Sequence, residues 1–315
     1  MDIFVAVDIG GTHIRAATYE ENNPLPLTHQ RAHSLAQQPG TFDRLVKTIE
    51  AAWPSHQSVR AIGVASPGPL DPQTGVVLAT PNIPEWRNFP VAEKLSQHFG
   101  VPAWLDNDAN LAALGEWKFG AGRGHHHILY LTISTGVGGG VVIHDHLLHG
   151  HHGMAAELGH VTVLAGGPLC SCGHHGHLEA LASGPAIERY VREQLTAGAA
   201  SKLRDVPELN ARVIAEAATH GDELAKLAYA RAGEYLGISV AGFLHTFNPS
   251  IVILGGGVSL SGPLLFEPFE ASLRKHVFHP RYLEGLTIAP AALGDNAGLL
   301  GAFTLAMLNS QRTNN

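Results

Sequence analysis

Two glycine-rich turns, each set between apolar strands, recur in this chain more than a hundred residues apart. The first, Gly10-Gly11-Thr12, separates predicted strands over 4–8 and 14–19; the second, 135–140, separates strands over 127–134 and 141–144. Glycine tolerates positive φ and lets backbone N–H groups approach an oxygen-rich ligand. Each turn alone is equally compatible with an ordinary hairpin. The repeat indicates an internal duplication in which two turns bind the two ends of a polyphosphate.

Strands alternate with helices through the rest of the chain. Buried-type strands are predicted over 61–65, 103–105, 250–254 and 286–291, and helices over 111–119 and 297–308. The long helical periodicity of 213–247 is expected to break at Gly233 and Gly237. A third turn, Gly255-Gly256-Gly257, is suited to lie against a flat purine. This alternation predicts an α/β fold, with two lobes around a cleft.

Carboxylates and amides cluster where the strand 103–105 passes into a helix, in the segment Asp106-Asn107-Asp108-Ala109-Asn110. In an α/β sheet, ligands bind at this end of a strand, and catalytic bases are often held there. Helix capping is the alternative, because Asn and Asp are the preferred N-cap residues. Both interpretations hold if one residue caps the helix while its neighbour faces the cleft.

Both cysteines of the chain lie within 157–179, a segment that is rich in histidine. Cys170, Cys172, His160 and His177 would supply the four ligands of a tetrahedral structural zinc site. Two reduced surface thiols are the alternative, since a disulfide with one intervening residue fits the required geometry poorly. His174 and His175 are close enough in sequence to leave the fourth ligand open.

Composition limits the partners that the chain can have. The 315 residues carry a formal net charge of −7, with 15% charged and 45% hydrophobic residues. No broad basic surface is expected for nucleic acid or anionic lipid. The N-terminus has no basic region ahead of an apolar one, and the apolar run 297–308 is shorter than the roughly 20 residues that span a bilayer. We therefore expect a soluble, cytoplasmic protein without nucleic-acid or membrane partners.

Six motifs together resemble the repressor, open reading frame, kinase (ROK) family. They are DIGGT at 8–12, SPGP at 66–69, NDAN at 107–110, STGVGGG at 134–140, ELGH at 157–160 and CSCGHHGHLE at 170–179. The resemblance implies an actin-like, hexokinase-like ATPase fold. It implies a small lobe over 1–117, completed by the last helix over 296–315, and a large lobe over 118–295 that carries the zinc-binding loop 157–179.

The resemblance also implies roles for individual residues. Asp108 matches the catalytic base. Sugar contacts are implied for Asn82, Asn107, Glu157, His160 and Glu179. The first phosphate motif corresponds to Asp8, Gly10, Gly11 and Thr12, the second to Thr135, Gly136 and Gly138, and the adenosine motif to Gly255, Gly256 and Gly257. Zinc ligands would be His160, Cys170, Cys172 and His177, with His177 where family members commonly have a third cysteine. Asp8 would hold Mg²⁺, and His160 would bind zinc with one ring nitrogen and the sugar with the other.

The implied activity is ATP-dependent phosphorylation of a hexose. Glucose is the first expectation, with glucose 6-phosphate and ADP as the products, and N-acetylmannosamine, mannose, fructose and allose are the alternative substrates. The implied cofactors are ATP, Mg²⁺ and a structural Zn²⁺, and the implied assembly is a homodimer or homotetramer. A sugar-responsive transcription regulator is disfavoured, because the DIGGT strand begins at residue 4 and leaves no room for a helix-turn-helix segment.

Overall fold

A computed structural model describes residues 2–35, 37–80 and 83–312 of the chain. The strands, in chain order, are β1 (Ile3–Ile9), β2 (His13–Glu20), β3 (Thr28–His33), β4 (Val59–Ser66), β5 (Leu70–Asp71), β6 (Val76–Ala79), β7 (Arg87–Phe89), β8 (Ala103–Asn107), β9 (His127–Ile133), β10 (Val137–Ile143), β11 (His146–Leu147), β12 (Ile251–Gly255) and β13 (Thr287–Pro290). The helices are α1 (Thr41–Ala52), α2 (Val91–Phe99), α3 (Asp108–Phe119), α4 (Glu179–Ala182), α5 (Gly184–Thr196), α6 (Ala211–Thr219), α7 (Glu223–Phe247), α8 (Pro263–His276) and α9 (Ala297–Arg312).

Two five-stranded sheets have the same topology. The first has the order β3-β2-β1-β4-β8 and the second the order β11-β10-β9-β12-β13. In each sheet the first three strands of the chain segment form antiparallel pairs, and the remaining two join in parallel. A small third sheet contains β5, β6 and β7. The predicted duplication and α/β class are confirmed, because strand order and strand sense repeat element by element.

Helices α3 and α9 lie between the two large sheets and touch backbone to backbone. A Cβ at Gly301 would collide with the carbonyl group of Leu111, and one at Gly115 would lie 2.6 Å from the Ala297 oxygen. Gly63 on β4 likewise lets the α9 backbone approach at Ala302. Glycine is required at these positions by close packing. The last helix therefore returns to the first sheet, as the sequence analysis expects.

Each sheet has its own apolar core. The first core packs β1, β2, β4 and β8 against α1 and α2, and the largest core packs the second sheet against α5 to α8. A third cluster covers the other face of the first sheet with α9, where Phe303 contacts Phe4, Tyr19 and Phe119 at ring-centroid distances of 5.8, 4.8 and 5.6 Å. Burial of apolar surface holds each sheet to its helices, and α9 secures the end of the chain.

The prediction that the helical segment 213–247 breaks at Gly233 and Gly237 is wrong. The break lies at 220–222, where Gly221 has φ +84°, and α7 runs without interruption through both glycines. A Cβ at Gly233 would lie 2.8 Å from Pro268 Cγ, and one at Gly237 would lie 2.5 Å from Ser272 Cβ. The two glycines therefore allow α7 and α8 to pack closely, a tertiary requirement that outweighs low helix propensity.

Within 2–35, 37–80 and 83–312, every helix is too short or too polar to cross a lipid bilayer.

Candidate active site

A cleft of about 780 Å³ lies between the two large sheets. Its walls come from the β1–β2 hairpin, the start of α3, the β9–β10 hairpin, the segment 155–157, the start of α4, the end of β12 and the turn before α9. Of the residues assigned from sequence, the lining includes Asp8, Gly10, Asn107, Asp108, Thr135, Gly136, Gly138, Glu157, Glu179, Gly255, Gly256 and Gly257. The fold therefore brings together residues that lie as far apart in the sequence as Asp8 and Gly257.

The first hairpin places Asp8 and Gly10 in the cleft wall. The Gly10 N–H donates to His13 O at 2.8 Å, and Ser34 ties the tip by donating from Oγ to Gly11 O at 2.7 Å. Gly11 and Thr12 lie exposed at that tip and do not line the cleft. Gly10 and the adjacent end of β1 therefore face the cleft, and the phosphate contacts implied for Gly11 and Thr12 remain a prediction.

Arg15 is a cleft residue that the sequence analysis missed. Its position on β2 is directly opposite Asp8 on β1. Arg15 Nε donates to Asp8 Oδ2 at 3.1 Å, and Nη2 donates to the same oxygen. On the other side, Nη1 donates to Asp295 O at 2.6 Å in the turn before α9. Directly opposed residues on antiparallel strands share a face, so the hairpin register was the signal that could have identified Arg15.

The second hairpin is braced from outside. Its Val137 N–H donates to Glu179 Oε2 at 3.2 Å, and a Cβ at Gly136 would lie 2.5 Å from the same oxygen. Gly136 is therefore needed for the close approach of the Glu179 carboxylate. Ser134 O accepts from Gly184 N at 2.8 Å, which joins the turn to the start of α5.

Asn107 caps helix α3, and Asp108 faces the cleft. Asn107 is the N-cap of α3, and its Oδ1 accepts from Ala109 N at 2.9 Å and Asn110 N at 3.4 Å. Behind it, the buried Asp106 accepts from Asn107 N and Asn110 Nδ2, and pairs with His149 Nε2 at 2.6 Å. Asp108 lines the cleft at the positive end of the helix. Capping and placement in the cleft are therefore both correct.

The carboxyl group of Asp108 has a raised pKa. Solvent reaches it through the open cleft, but the protein around it desolvates it, and the charges of Asp8 and Glu157 oppose its ionisation. Together these effects raise the pKa of Asp108 to about 6, although the Ala109 N–H acts in the opposite direction. A carboxylate with this pKa is suited to accept a proton near neutral pH.

Glu157 is held in the cleft by a tight, constrained turn. The preceding Ala156 has φ +67°, which is uncommon for a residue other than glycine. After it, Leu158–His160 forms a single 3-10 turn, and a Cβ at Gly159 would collide with the Val137 carbonyl group on β10. The glycine of ELGH therefore seats this turn directly on the second hairpin.

The four predicted zinc ligands form one cluster. The donor atoms of His160, Cys170, Cys172 and His177 all lie within 4.8 Å of one another. Cys170 Sγ is 3.7 Å from His160 Nδ1, and Cys172 Sγ is 3.2 Å from His177 Nδ1. A tetrahedral zinc with bonds of about 2.0–2.3 Å needs separations of this size, so the donor set fits that ion.

The surroundings favour His177 over its neighbours as the fourth member. Burial, reinforced by the charges of His160 and His174 and opposed by that of Glu179, lowers the pKa of His177 and so favours the neutral ring that binds metals. His175 Nδ1 instead lies 2.9 Å from Gly167 O, and backbone bridges at Thr162–His177 and Leu169–His175 shape the loop. Within the described residues, His174 and His175 lie outside the cluster.

Glu179 connects this cluster to the cleft. Its Oε1 accepts from Ser171 Oγ at 2.6 Å and lies 3.4 Å from Cys170 Sγ, while its Oε2 accepts from Val137 N in the second hairpin. His160 turns Nδ1 toward Cys170 and does not line the cleft. Glu179 therefore joins the ligand cluster to the cleft through its side-chain hydrogen bonds, and the sugar contact of His160 remains a prediction.

A second cavity of about 660 Å³ adjoins the cleft at the third glycine turn. Gly257, Ser134, Thr135 and Leu260 line both spaces. The cavity continues between α5, α6 and α8, and sequence analysis did not identify its other lining residues because those helices are distant in sequence. Predicted residue Asn82 lies outside the described residues, so its proposed sugar contact remains a prediction.

A family model for the ROK family matches residues 4–308. The chain belongs to the ROK family. A glucokinase from Thermotoga maritima is 38% identical over 307 residues, which cover 96% of each protein.

Two solved ROK structures have the same overall fold. One is a ROK family glucokinase from Streptomyces griseus in complex with glucose and AMPPNP; it is 35% identical, with a TM-score of 0.81, over 97% of this chain and 99% of that chain. The other is a ROK family transcriptional regulator, a homologue of the E. coli MLC protein. It is 26% identical, with a TM-score of 0.87, over 98% of this chain and 79% of that chain. The ROK fold thus serves enzymes and regulators, and the residues of the cleft must decide between them.

Proposed function

We propose that this ROK-family chain is an ATP-dependent hexokinase that acts on glucose. The observation that carries the proposal is the position of Asp108, a carboxyl group with a pKa of about 6 at the start of α3, in a cleft bounded by two glycine hairpins. Glucose is preferred among the hexoses because of the full-length similarity to the Thermotoga maritima glucokinase and the similarity to the glucose-bound Streptomyces griseus structure.

The nucleotide would bind with its phosphates between the two hairpins. Gly10 on one side and Thr135, Gly136 and Gly138 on the other expose the backbone to the cleft. The base would lie against Gly255 to Gly257 and extend toward the adjoining cavity. Both bonds from Arg15 to Asp8 go to Oδ2, which leaves Oδ1 of Asp8 for a water on Mg²⁺. These features support MgATP as the phosphoryl donor.

The sugar would bind beside Asp108. Asn107, Glu157 and Glu179 supply amide and carboxylate groups to the same cleft, and Asn82 and His160 belong to the same proposal. Each carboxylate oxygen can accept two hydrogen bonds, so Glu179 can accept from a sugar hydroxyl while it holds Ser171 and Val137. A sugar that leaves one of these groups unpaired would be rejected, since unpaired buried polar groups are costly.

Asp108 would accept the proton of the attacking sugar hydroxyl as the phosphoryl group leaves ATP. Phosphoryl transfer depends mainly on positioning and charge stabilisation, and a positioned base contributes about 10²–10⁴-fold. We infer that the two lobes are 1–117 together with 296–315, which contains α9, and 118–295, and that they close on both substrates to exclude water. A homodimer or homotetramer belongs to the same proposal, and light scattering tests it.

The metal cluster would have a structural role. When bound, zinc would crosslink the loop with tetrahedral geometry, because protein side chains would fill all four coordination positions. The chain's own contribution is to pass that order to the cleft through Glu179, which contacts the loop and the second hairpin at once.

A coupled assay of ADP release tests the proposal. With ATP and Mg²⁺, we expect release to require a hexose, and kcat/KM to be highest for glucose among glucose, mannose, fructose, allose and N-acetylmannosamine. A preference for one of the other sugars would change the substrate and preserve the kinase assignment. Equal ADP release with and without every sugar would contradict the proposed function.

A further inference from the structure

The cleft has an unusual balance of charge for a site that takes a nucleoside triphosphate. Five carboxylate residues line it, namely Asp8, Asp108, Glu157, Glu179 and Asp295. Among the lining residues that the structure describes, Arg15 is the one cationic side chain. A polyphosphate entering this cleft therefore meets several like charges, and the Arg15 guanidinium is the lining group that can offset them.

Arg15 is fixed on two sides before any ligand arrives. Asp8 accepts from Nε and Nη2, and the backbone oxygen of Asp295 accepts from Nη1. A guanidinium has five N–H groups, and these three bonds leave two of them for a ligand. The side chain retains 23% exposure and lines the cleft, so it is oriented and reachable at once.

The backbone around Arg15 indicates what it would bind. Asp8 and Arg15 occupy facing positions on β1 and β2, one residue pair away from Ile9 and Ile14 at the start of the glycine turn. Gly10 lines the same cleft. A planar guanidinium suits phosphate oxygens better than sugar hydroxyls, because its N–H groups match them in pairs and carry charge.

We propose that Arg15 is a catalytic residue that contacts the terminal phosphates of the donor, with Asp8 as the group that orients it. This inference rests on the proposed function, since it assigns a role within the same cleft. Arg15 offsets the charge that accumulates on the transferred phosphoryl group, and the fixed bonds to Asp8 and Asp295 reduce the cost of ordering it.

A purely structural role makes a different prediction. If Arg15 only anchors Asp8 and the turn before α9, its loss should act through the metal that Asp8 holds. Arg15→Gln and Asp8→Asn would then weaken ATP binding to the same extent, and only with Mg²⁺ present. If Arg15 contacts phosphate, Arg15→Gln weakens ATP binding without any metal, whereas a purely anchoring role leaves metal-free ATP binding unchanged.

Calorimetric titration of the full chain with ATP and with AMP separates these cases. The buffer contains EDTA to remove Mg²⁺, and the zinc content of the protein is verified after dialysis. We expect Arg15→Gln to weaken ATP binding at least about tenfold and Arg15→Lys to weaken it less. AMP affinity should stay within about twofold, because AMP lacks the terminal phosphates. Glucose affinity, measured beside it, reports whether each variant is folded.

Arg31→Gln is the matched control. Arg31 is the cross-strand neighbour of Arg15 on β3, but it is exposed and does not line the cleft. Arg31→Gln removes one positive charge, as Arg15→Gln does, from a neighbouring position. Because salt screens an exposed charge, it should change ATP affinity by less than about twofold. ATP affinity unchanged in Arg15→Gln, or lowered equally in Arg31→Gln, would overturn the inference while leaving the kinase assignment intact. A wild-type chain that neither binds ATP nor phosphorylates a hexose would overturn both.

Discussion

The two glycine hairpins that bound the cleft have the same backbone plan and different supports. The β1–β2 hairpin holds itself, through the ion pair between Asp8 and Arg15 on its own facing strands. The β9–β10 hairpin is held from outside, by Glu179 at the start of α4. That carboxylate also accepts from Ser171 in the loop that carries the metal ligands.

The two hairpins therefore depend on different parts of the molecule for their order. The first hairpin depends on its own strands, on Ser34 after β3 and on the turn before α9. The second depends on a long loop that has little regular structure and is ordered, in our proposal, by a metal. Disturbance of the loop 157–179 should therefore reach the second hairpin and the carboxylates that we propose to bind the sugar, and leave the first hairpin nearly unaffected.

Asp108 lies between the hairpins, and its loss should affect chemistry without affecting either of them. We expect Asp108→Asn to lower kcat by about 10²–10⁴-fold, because the proton acceptor is lost, while glucose and ATP affinities stay within a few-fold. Steady-state kinetics and calorimetry measure the two quantities. Asp43→Asn, an exposed carboxylate on α1, is the control. Turnover near the wild-type rate in Asp108→Asn would contradict the assignment.

Removal of the metal should distinguish the hairpins. We expect His177→Ala to lose zinc and to lower kcat/KM for glucose by about ten- to a hundredfold, since a small misplacement of positioning groups has effects of this size. Mass spectrometry measures the zinc content, and ADP release measures activity.

His174→Ala is the matched control for that loss. The ring of His174 lies 5.8 Å from that of His177 but outside the ligand cluster, so this variant should keep both zinc and activity. A zinc-free His177→Ala protein with wild-type kcat/KM would show that the loop does not organise the cleft. Zinc loss in His174→Ala would identify His174, and not His177, as the fourth zinc ligand.

Loss of one of the contacts between the loop and Glu179 should have a smaller effect. Ser171→Ala removes the 2.6 Å hydrogen bond to Glu179 Oε1 and retains all four ligands. We expect KM for glucose to rise about three- to tenfold with kcat nearly constant, because a partly exposed bond to a charged group contributes about 1 kcal/mol. Ser171→Thr restores the hydroxyl and should restore KM. An unchanged KM in a zinc-loaded Ser171→Ala protein would exclude this connection.

The first hairpin should influence the pKa of Asp108 through the negative charge of Asp8. In the wild-type chain, kcat/KM for glucose should fall with pH below about 6, because the raised pKa leaves Asp108 protonated there and unable to accept a proton. The charge of Asp8 contributes to that raised pKa, so Asp8→Asn should move the acidic limb to lower pH by less than about one unit. The pH dependence of kcat/KM measures it. A limb that moves to higher pH, or does not move, would contradict this electrostatic connection.

Local patterns in the sequence predicted much of this site. The glycine turns between apolar strands, the acidic segment before α3 and the Cys-X-Cys loop are all contiguous, so the sequence places their chemistry without knowledge of the fold. The metal cluster also follows from residue type, because few side chains other than Cys and His bind zinc in this pattern.

Contacts between distant segments were not predictable in the same way. The role of Arg15 depends on the exact hairpin register, and the double contact of Glu179 depends on how an irregular loop closes onto β10. The helix break predicted at Gly233 and Gly237 was wrong for the same reason. Their low helix propensity is local, whereas the close approach of α7 and α8 that requires them is tertiary.

Phosphorus NMR of a reaction with ATP, Mg²⁺ and either glucose or 6-deoxyglucose tests the central claim most directly. We predict that glucose yields ADP and a sugar phosphate monoester in equal amounts. We predict that 6-deoxyglucose, which lacks the 6-hydroxyl whose proton Asp108 would accept, binds but yields neither product. ATP consumed to ADP and inorganic phosphate at the same rate with both sugars, and no sugar phosphate with glucose, would contradict the account.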